Sequence, residues 1–227
     1  MDQRAAALSA TLIRALLIAL LLLGLAACGG DDGGGGGEGS PEAAADFKRH
    51  EIKDHGIAIG LPSDWKTVSP GEVLSDQEME DLSSENPSIA PYLESVSGPN
   101  SPIKFFAFDP DVQKGFATNL NIIVAGGAGG ADVDDLAKAA VSEIEKLPTV
   151  TTDITEDRVD LDAGEAVRLR FEQKFQSEGT TIDVATTQYG LVEGGTSYIL
   201  SFTTLPEQLK AYEDDFASSM QTFKISG

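Results

Sequence analysis

His50 and His55 are the only histidines in the chain, so catalysis that needs an imidazole base near neutral pH must draft one of them. In His50-Glu51-Ile52-Lys53-Asp54-His55 the two stand five positions apart. A zinc site of the H-E-x-x-H kind needs four, which sends both rings off one helix face. At five they diverge by about 140° on a helix of 3.6 residues per turn. Weak surface metal binding is the chemical option here; exposed histidines at the end of a linker are the plainer one. A serine triad would have to borrow the same rings, and no G-x-S-x-G turn occurs. The chain carries 37 acidic residues, so carboxylate pairs of the kind a glycosidase sets across a cleft arise by chance and identify nothing.

Other motifs fall short in the same way. Gly126-Gly127-Ala128-Gly129-Gly130 stands between a strand and a helix, where phosphate loops sit. It lacks a Gly-Lys-Ser/Thr ending and a dinucleotide fingerprint. Asp132, Asp134 and Asp135 follow it; they suit the positive end of a helix and would repel a phosphate. Asp109-Pro110-Asp111 starts like a calcium loop, but Lys114 and Leu120 occupy the places of the required glycine and glutamate. It reads as a turn. No metal, cofactor or catalytic set is expected.

Arg168, Arg170 and Lys174 gather positive charge on one strand of an acidic chain. Cross-strand pairing with acids such as Asp183 is one account; a surface for an anionic ligand or a partner is the other. Trp65 reads as a core or near-core residue with sugar stacking as its alternative. With Tyr189 and Tyr198 it could line a pocket beside the arginines.

These side chains need a scaffold. Ile57-Ala58-Ile59-Gly60-Leu61 alternates like a strand and is stopped by Pro62. Residues 71–98 are polar and interrupted by Pro87 and Pro91, consistent with a short helix or two. Strands are expected over Ile103–Phe108 and Asn119–Ala125. Val133, Leu136, Ala137, Ala140, Val141, Ile144 and Leu147 then recur at helical steps, with Asp132 as cap and Pro148 beyond the end. Four strands follow, Val150–Leu161, Ala166–Phe175, Thr181–Val192 and Ser197–Thr203, with turns at Ala163-Gly164, Glu178-Gly179 and Gly194-Gly195. Thr204-Leu205-Pro206-Glu207 forms a capping box that opens a closing helix striped by Leu209, Tyr212, Phe216, Met220 and Phe223. Consecutive strands with short turns predict an antiparallel meander, and the fold class is α+β, a central antiparallel sheet flanked by helices.

The N-terminal segment reads differently. Arg4 and Arg14 precede an apolar run from Ala15 to Ala27, the length of a signal-peptide h-region and short of the roughly 20 residues that span a membrane. Leu25-Ala26-Ala27-Cys28 resembles the lipobox of bacterial lipoproteins, which implies cleavage between Ala27 and Cys28 and a lipid on the Cys28 thiol. Cys28 is the single cysteine, so no intramolecular disulfide is available, and an acylated thiol is lost to catalysis and redox work. Residues 29–45 are glycine-rich and without apolar period, a flexible tether with a reach of roughly 20–25 Å. The expected organisation is a signal peptide over 1–27, lipidated cysteine and linker over 28–45, and one globular domain over 46–227. The formal charge of −21 repels nucleic acid and anionic lipid alike. Attachment to the extracytoplasmic membrane face therefore falls to the lipid.

Ile57-Ala58-Ile59-Gly60-Leu61-Pro62-Ser63-Asp64-Trp65 resembles the opening of PsbP-like and DcrB/LpqN-like lipoprotein domains. Gly115-Phe116-Ala117-Thr118-Asn119-Leu120-Asn121 is similar to a later strand entry of theirs. Tyr198-Ile199-Leu200-Ser201-Phe202-Thr203-Thr204 and the ending Phe223-Lys224-Ile225 match their closing strand and helix. The resemblance spans most of 47–227. It implies an α/β/α sandwich and a non-catalytic envelope protein that binds partner proteins or a small ligand. An envelope hydrolase with an unlocated carboxylate pair, and a small solute-binding component of a transporter, are the alternatives.

Overall fold

A computed structural model describes residues 46–68, 101–127, 129–177 and 180–226. The cleavage and lipidation sites at Ala27 and Cys28, the linker, the helices expected within 71–98 and the Glu178-Gly179 turn lie outside them.

Two antiparallel sheets organise the chain. In the smaller, β1 (Phe47–Ile52) and β10 (Lys224–Ile225) flank β2 (Ile57–Pro62). The larger sheet has seven strands. From one edge to the other they are β3 (Lys66–Val68), β4 (Ile103–Phe108), β5 (Asn119–Gly126), β9 (Thr196–Thr204), β8 (Thr180–Glu193), β7 (Gly164–Ser177) and β6 (Thr155–Leu161). The chain from β6 to β9 is the expected meander. Its last turn, Gly194-Gly195, has φ of 55° and 77°. Positive φ at both positions is what a two-residue hairpin matched to strand twist requires, and glycine adopts it without a Cβ clash.

Helix α1 (Val133–Ile144) covers one face of the large sheet with Leu136, Ala137, Ala140 and Ile144. Asp132 caps it, its Oδ1 accepting from the backbone N–H of Asp134 and Asp135 at 3.0 Å each. On the other face, α2 (Leu209–Thr222) and the small sheet bury Ile59, Leu61, Leu200, Phe202, Phe216, Met220 and Phe223. Both faces of the central strands are therefore covered, and the expected α+β sandwich is the observed architecture.

Several local expectations change. α1 stops at Ile144, and Leu147 sits in the following turn. The strand expected from Val150 begins only at Thr155. Ahead of it, the Thr152 hydroxyl accepts from Glu172 N–H at 2.8 Å, so a side chain takes a donor that a strand carbonyl would use. The capping box does not form. Thr204 stays in β9 with its hydroxyl 2.8 Å from that of Thr118, Glu207 pairs with Lys114, and a 3-10 turn over Pro206–Gln208 precedes α2. The histidines are not linker ends either. His50 lies in β1, its ring 5.7 Å from Phe105, and His55 closes a 3-10 turn. Burial lowers the pKa of both.

Candidate functional site

Alternation along β7 splits its residues between the two faces. Val167, Leu169, Phe171 and Phe175 enter the core beneath α1. Arg168, Arg170, Glu172 and Lys174 point the other way, toward the side on which α2 lies. There Asp157 on β6, Arg168 on β7 and Tyr189 on β8 form one cross-strand row. Arg168 grips Asp157 with two hydrogen bonds, Nε to Oδ1 at 2.9 Å and Nη2 to Oδ2. The fork-to-carboxylate geometry fixes both groups. It holds the Asp157 carboxyl below its ordinary pKa and raises that of Arg168. Tyr189 is raised by burial, against the pull of the adjacent Arg168.

Arg170 is held more loosely. Its Nη2 lies 3.4 Å from the Asp157 oxygen already engaged by Arg168, and its side chain is 35% exposed against 21% for Arg168. The expected Lys174–Asp183 pair is present at 3.0 Å. The arginine row is thus a partly open surface in which one cation is locked and its neighbour is freer to turn outward.

Of the aromatic set, Tyr189 reaches the row, beside Arg168, and no exposed aromatic pocket forms there. Trp65, Tyr189 and Tyr198 are 6%, 2% and 6% exposed and pack in the core under α2 and the small sheet. Tyr189 meets Phe202 edge-on at 6.1 Å, and Tyr198 meets Phe223 at 6.2 Å. Alternation places both tyrosines on the face that these elements cover, so the rings are packing residues and line no surface pocket.

A second polar group lies on the opposite face and escaped sequence reasoning. Asn121, Ser201 and Gln188 form one row across β5, β9 and β8; Asn119, Thr203 and Thr186 form the next. All six are buried, as is Gln173 beside them on β7. Asn119 Nδ2 donates to Ala117 O at 2.9 Å, Gln188 Nε2 to Ser201 Oγ at 3.0 Å, and Gln173 Nε2 to Thr186 Oγ1 at 3.4 Å. Asn119 Oδ1, Asn121 Oδ1 and Gln173 Oε1 have no hydrogen-bond partner. An unsatisfied buried acceptor costs about 1–3 kcal/mol. Polar residues at alternate strand positions read as solvent-facing, which is why the sequence conceals them.

The Asp109 turn reaches α2. Asp109 Oδ1 accepts from Asp111 N–H at 2.8 Å and Oδ2 from the Tyr212 hydroxyl at 2.6 Å. Burial raises Asp109. Asp215 is raised as well, by burial and then by Asp214, Asp64 and Asp109. Among the described residues no group of three or more His, Cys, Asp or Glu side chains is arranged to hold a metal ion.

No family model and no curated protein matches the sequence. Solved structures do match. PsbP of the cyanobacterium Synechocystis is 11% identical, over 83% of this chain and 98% of its own, with a TM-score of 0.48. LpqN of Mycobacterium tuberculosis, described as involved in cell envelope biogenesis, is 14% identical over 80% and 91%, with a TM-score of 0.46. The Ran-binding protein Mog1p of Saccharomyces cerevisiae is 9% identical over 80% and 96%, with a TM-score of 0.50. The resemblance to PsbP-like and LpqN-like domains read from the sequence is thus met among solved structures, and at these identities what the chain shares with Mog1p is the fold.

Proposed function

We propose that this chain is a lipid-anchored, extracytoplasmic binding or accessory module that captures an envelope partner on the arginine row of β6, β7 and β8. The observation that carries this reading is the unequal holding of two adjacent cations. Arg168 is fixed by two bonds to Asp157, whereas Arg170 has one long contact and greater exposure. In a chain of charge −21, a preorganised positive spot selects an acidic patch on a partner, and the surrounding acids repel other orientations. The fold, which a Ran-binding protein shares, is compatible with such a role and does not by itself specify it.

The tether rests on the sequence. An apolar run ends in Leu25-Ala26-Ala27-Cys28 and is followed by a glycine-rich segment. No helix among the described residues is long and apolar enough to cross a membrane. Two acyl chains on Cys28 would hold the protein where one binds only marginally.

Crosslinking in cells tests the surface. Arg170→Glu and Arg168→Glu should each reduce partner capture while the purified proteins keep their fold; capture unchanged in both folded variants removes the arginine row. Detergent-phase partitioning tests the anchor. Wild type should enter the detergent phase and Cys28→Ser the aqueous one, and identical partitioning contradicts lipidation.

A further inference from the structure

We infer that the outer edge of β6 takes up an extended strand of the partner protein, antiparallel to β6, with a carboxylate of that strand set against Arg170. This rests on the partner face proposed above and names how that face is engaged. Backbone direction decides which groups are on offer. Glu172 and Lys174 on β7 turn their main-chain groups toward the segment ahead of β6: Glu172 O accepts from Thr151 N–H at 2.9 Å, and Lys174 N–H donates to Thr149 O at 2.8 Å. Direction alternates along a strand, so Arg170 and Arg168 turn theirs toward β6 as well. Their partners Thr155 and Asp157 face them in return. Glu156, Arg158 and Asp160 therefore aim N–H and C=O away from β7, and among the described residues no strand pairs with them there. All three are exposed.

Sheet edges are commonly blunted by shortness, proline or a bulge. β3 and β10 are short, with three and two residues. β6 has seven residues and no proline, and it pairs with β7 without a break in register. Its charges stand on the two faces of the sheet, where they select among incoming strands. Main-chain pairing would give affinity and the facing side chains specificity. Thr155, small and exposed, lies directly opposite Arg170 on the same face, between it and the open edge. The Arg170 guanidinium already leans toward β6, 3.4 Å from Asp157 Oδ2. An incoming residue opposite Thr155 sits two strand spacings from β7, about 10 Å, which an arginine and a glutamate side chain span together. A carboxylate there adds a charge-assisted pair to a cation with one long contact. A second copy is the wrong occupant. β6 carries Glu156, Asp157 and Asp160 against Arg158, in a chain of charge −21, and two such edges repel.

Nuclear magnetic resonance of the isotope-labelled full chain, titrated with an end-blocked octapeptide, tests the proposal. The peptide alternates valine and threonine, with glutamate as its seventh residue, so that its first six residues lie along β6 when the glutamate stands opposite Thr155. The amide signals of Glu156, Arg158 and Asp160 should shift saturably in the millimolar range, and their hydrogen exchange should slow. Lysine in place of the glutamate should weaken binding by about tenfold or more, and Arg170→Gln should abolish that preference. Proline suits an edge position whose N–H faces outward. Glu156→Pro should therefore keep the fold and bind the peptide about tenfold more weakly than Glu156→Ala, which retains the N–H. If Glu156→Pro fails to fold, Asp160→Pro against Asp160→Ala carries the comparison. The proposal is overturned if the three amides do not shift, or if the folded proline variant binds as tightly as its alanine counterpart. It is also overturned if the same amides shift with protein concentration alone, which would make a second copy the occupant. None of these outcomes alters whether Arg170→Glu reduces capture in cells, so the partner face and its engagement by a strand fail separately.

Discussion

The two sides of the seven-stranded sheet handle polarity in opposite ways. On the α2 side, the polar groups of β6 and β7 are charged, partly exposed and engaged with one another, as Arg168, Asp157 and Arg170 show. On the α1 side, the polar groups of β5, β7, β8 and β9 are neutral and buried, and the amide oxygens of Asn119, Asn121 and Gln173 have no partner among the described residues. Charges kept at the edge of solvent can be satisfied cheaply and exchanged for a partner's charges. Neutral groups sealed in the interior cannot fall back on water, so each missing bond is a standing cost. The first arrangement suits reversible docking of a large surface.

Introducing a charge should break this contrast most visibly. Gln188→Glu places a carboxylate in the buried block with no cation beside it among the described residues, and a loss of about 3–5 kcal/mol is expected, by analogy with breaking a buried ion pair. Chemical denaturation measures it, and a loss below about 1 kcal/mol would show that the block is wetter than its burial implies. On the other face, Asp157→Asn should cost only about 1 kcal/mol, since the pair is half-exposed. The depressed pKa of Asp157 gives its contribution a sign with pH. It is present above the ordinary carboxylate pKa and is lost as pH falls through the folded value. Stability curves of wild type and Asp157→Asn should therefore converge in acid.

Asp215 gives the opposite sign and a smaller effect. Its folded pKa is raised, chiefly by burial and by neighbouring acids. Its contribution is full below the ordinary carboxylate value and is lost as pH rises through the folded one. Asp215→Asn should stabilise at neutral pH by a fraction of a kcal/mol after solvent screening, with the gain gone near about pH 4. Melting temperatures at the two pH values decide it. The helix starts provide the finest contrast. Asp132→Ala should cost about 1 kcal/mol through loss of a cap. Glu207→Ala should cost little, because no capping box exists there and its pair with Lys114 is exposed. Equal losses in the two variants would mean that Glu207 supports α2 after all.

What was legible in the sequence follows from how many rules agreed at each place. Over α1, apolar period, cap and following proline all pointed one way, and the helix and its Asp132 cap are found. The meander was legible because Ala163-Gly164 and Gly194-Gly195 mark its turns, the first lying one residue beyond the observed turn at Asp162-Ala163. β1 was not: Phe47-Lys48-Arg49-His50-Glu51-Ile52 has little alternation, and its pairing with β2 is a long-range consequence of packing. Thr204 misled because a local capping motif lost to a tertiary bond with Thr118. The arginines could be named in advance, since two cations on one strand face of an acidic chain stand out. Which of them is locked depended on Asp157 across the sheet. Asn119 and Asn121 were hidden because a strand covered on both faces breaks the rule that polar alternates point to water.

Site-specific photo-crosslinking in cells most directly tests whether the arginine face is the working surface. A photoreactive residue at Glu172, beside Arg170 on β7, should yield a discrete adduct, whereas the same residue at exposed Lys138 on α1 should not. Adding Arg170→Glu should diminish the Glu172 adduct. Equal adducts from both positions, or an adduct from Lys138 alone, would contradict the assignment of partner capture to β6, β7 and β8.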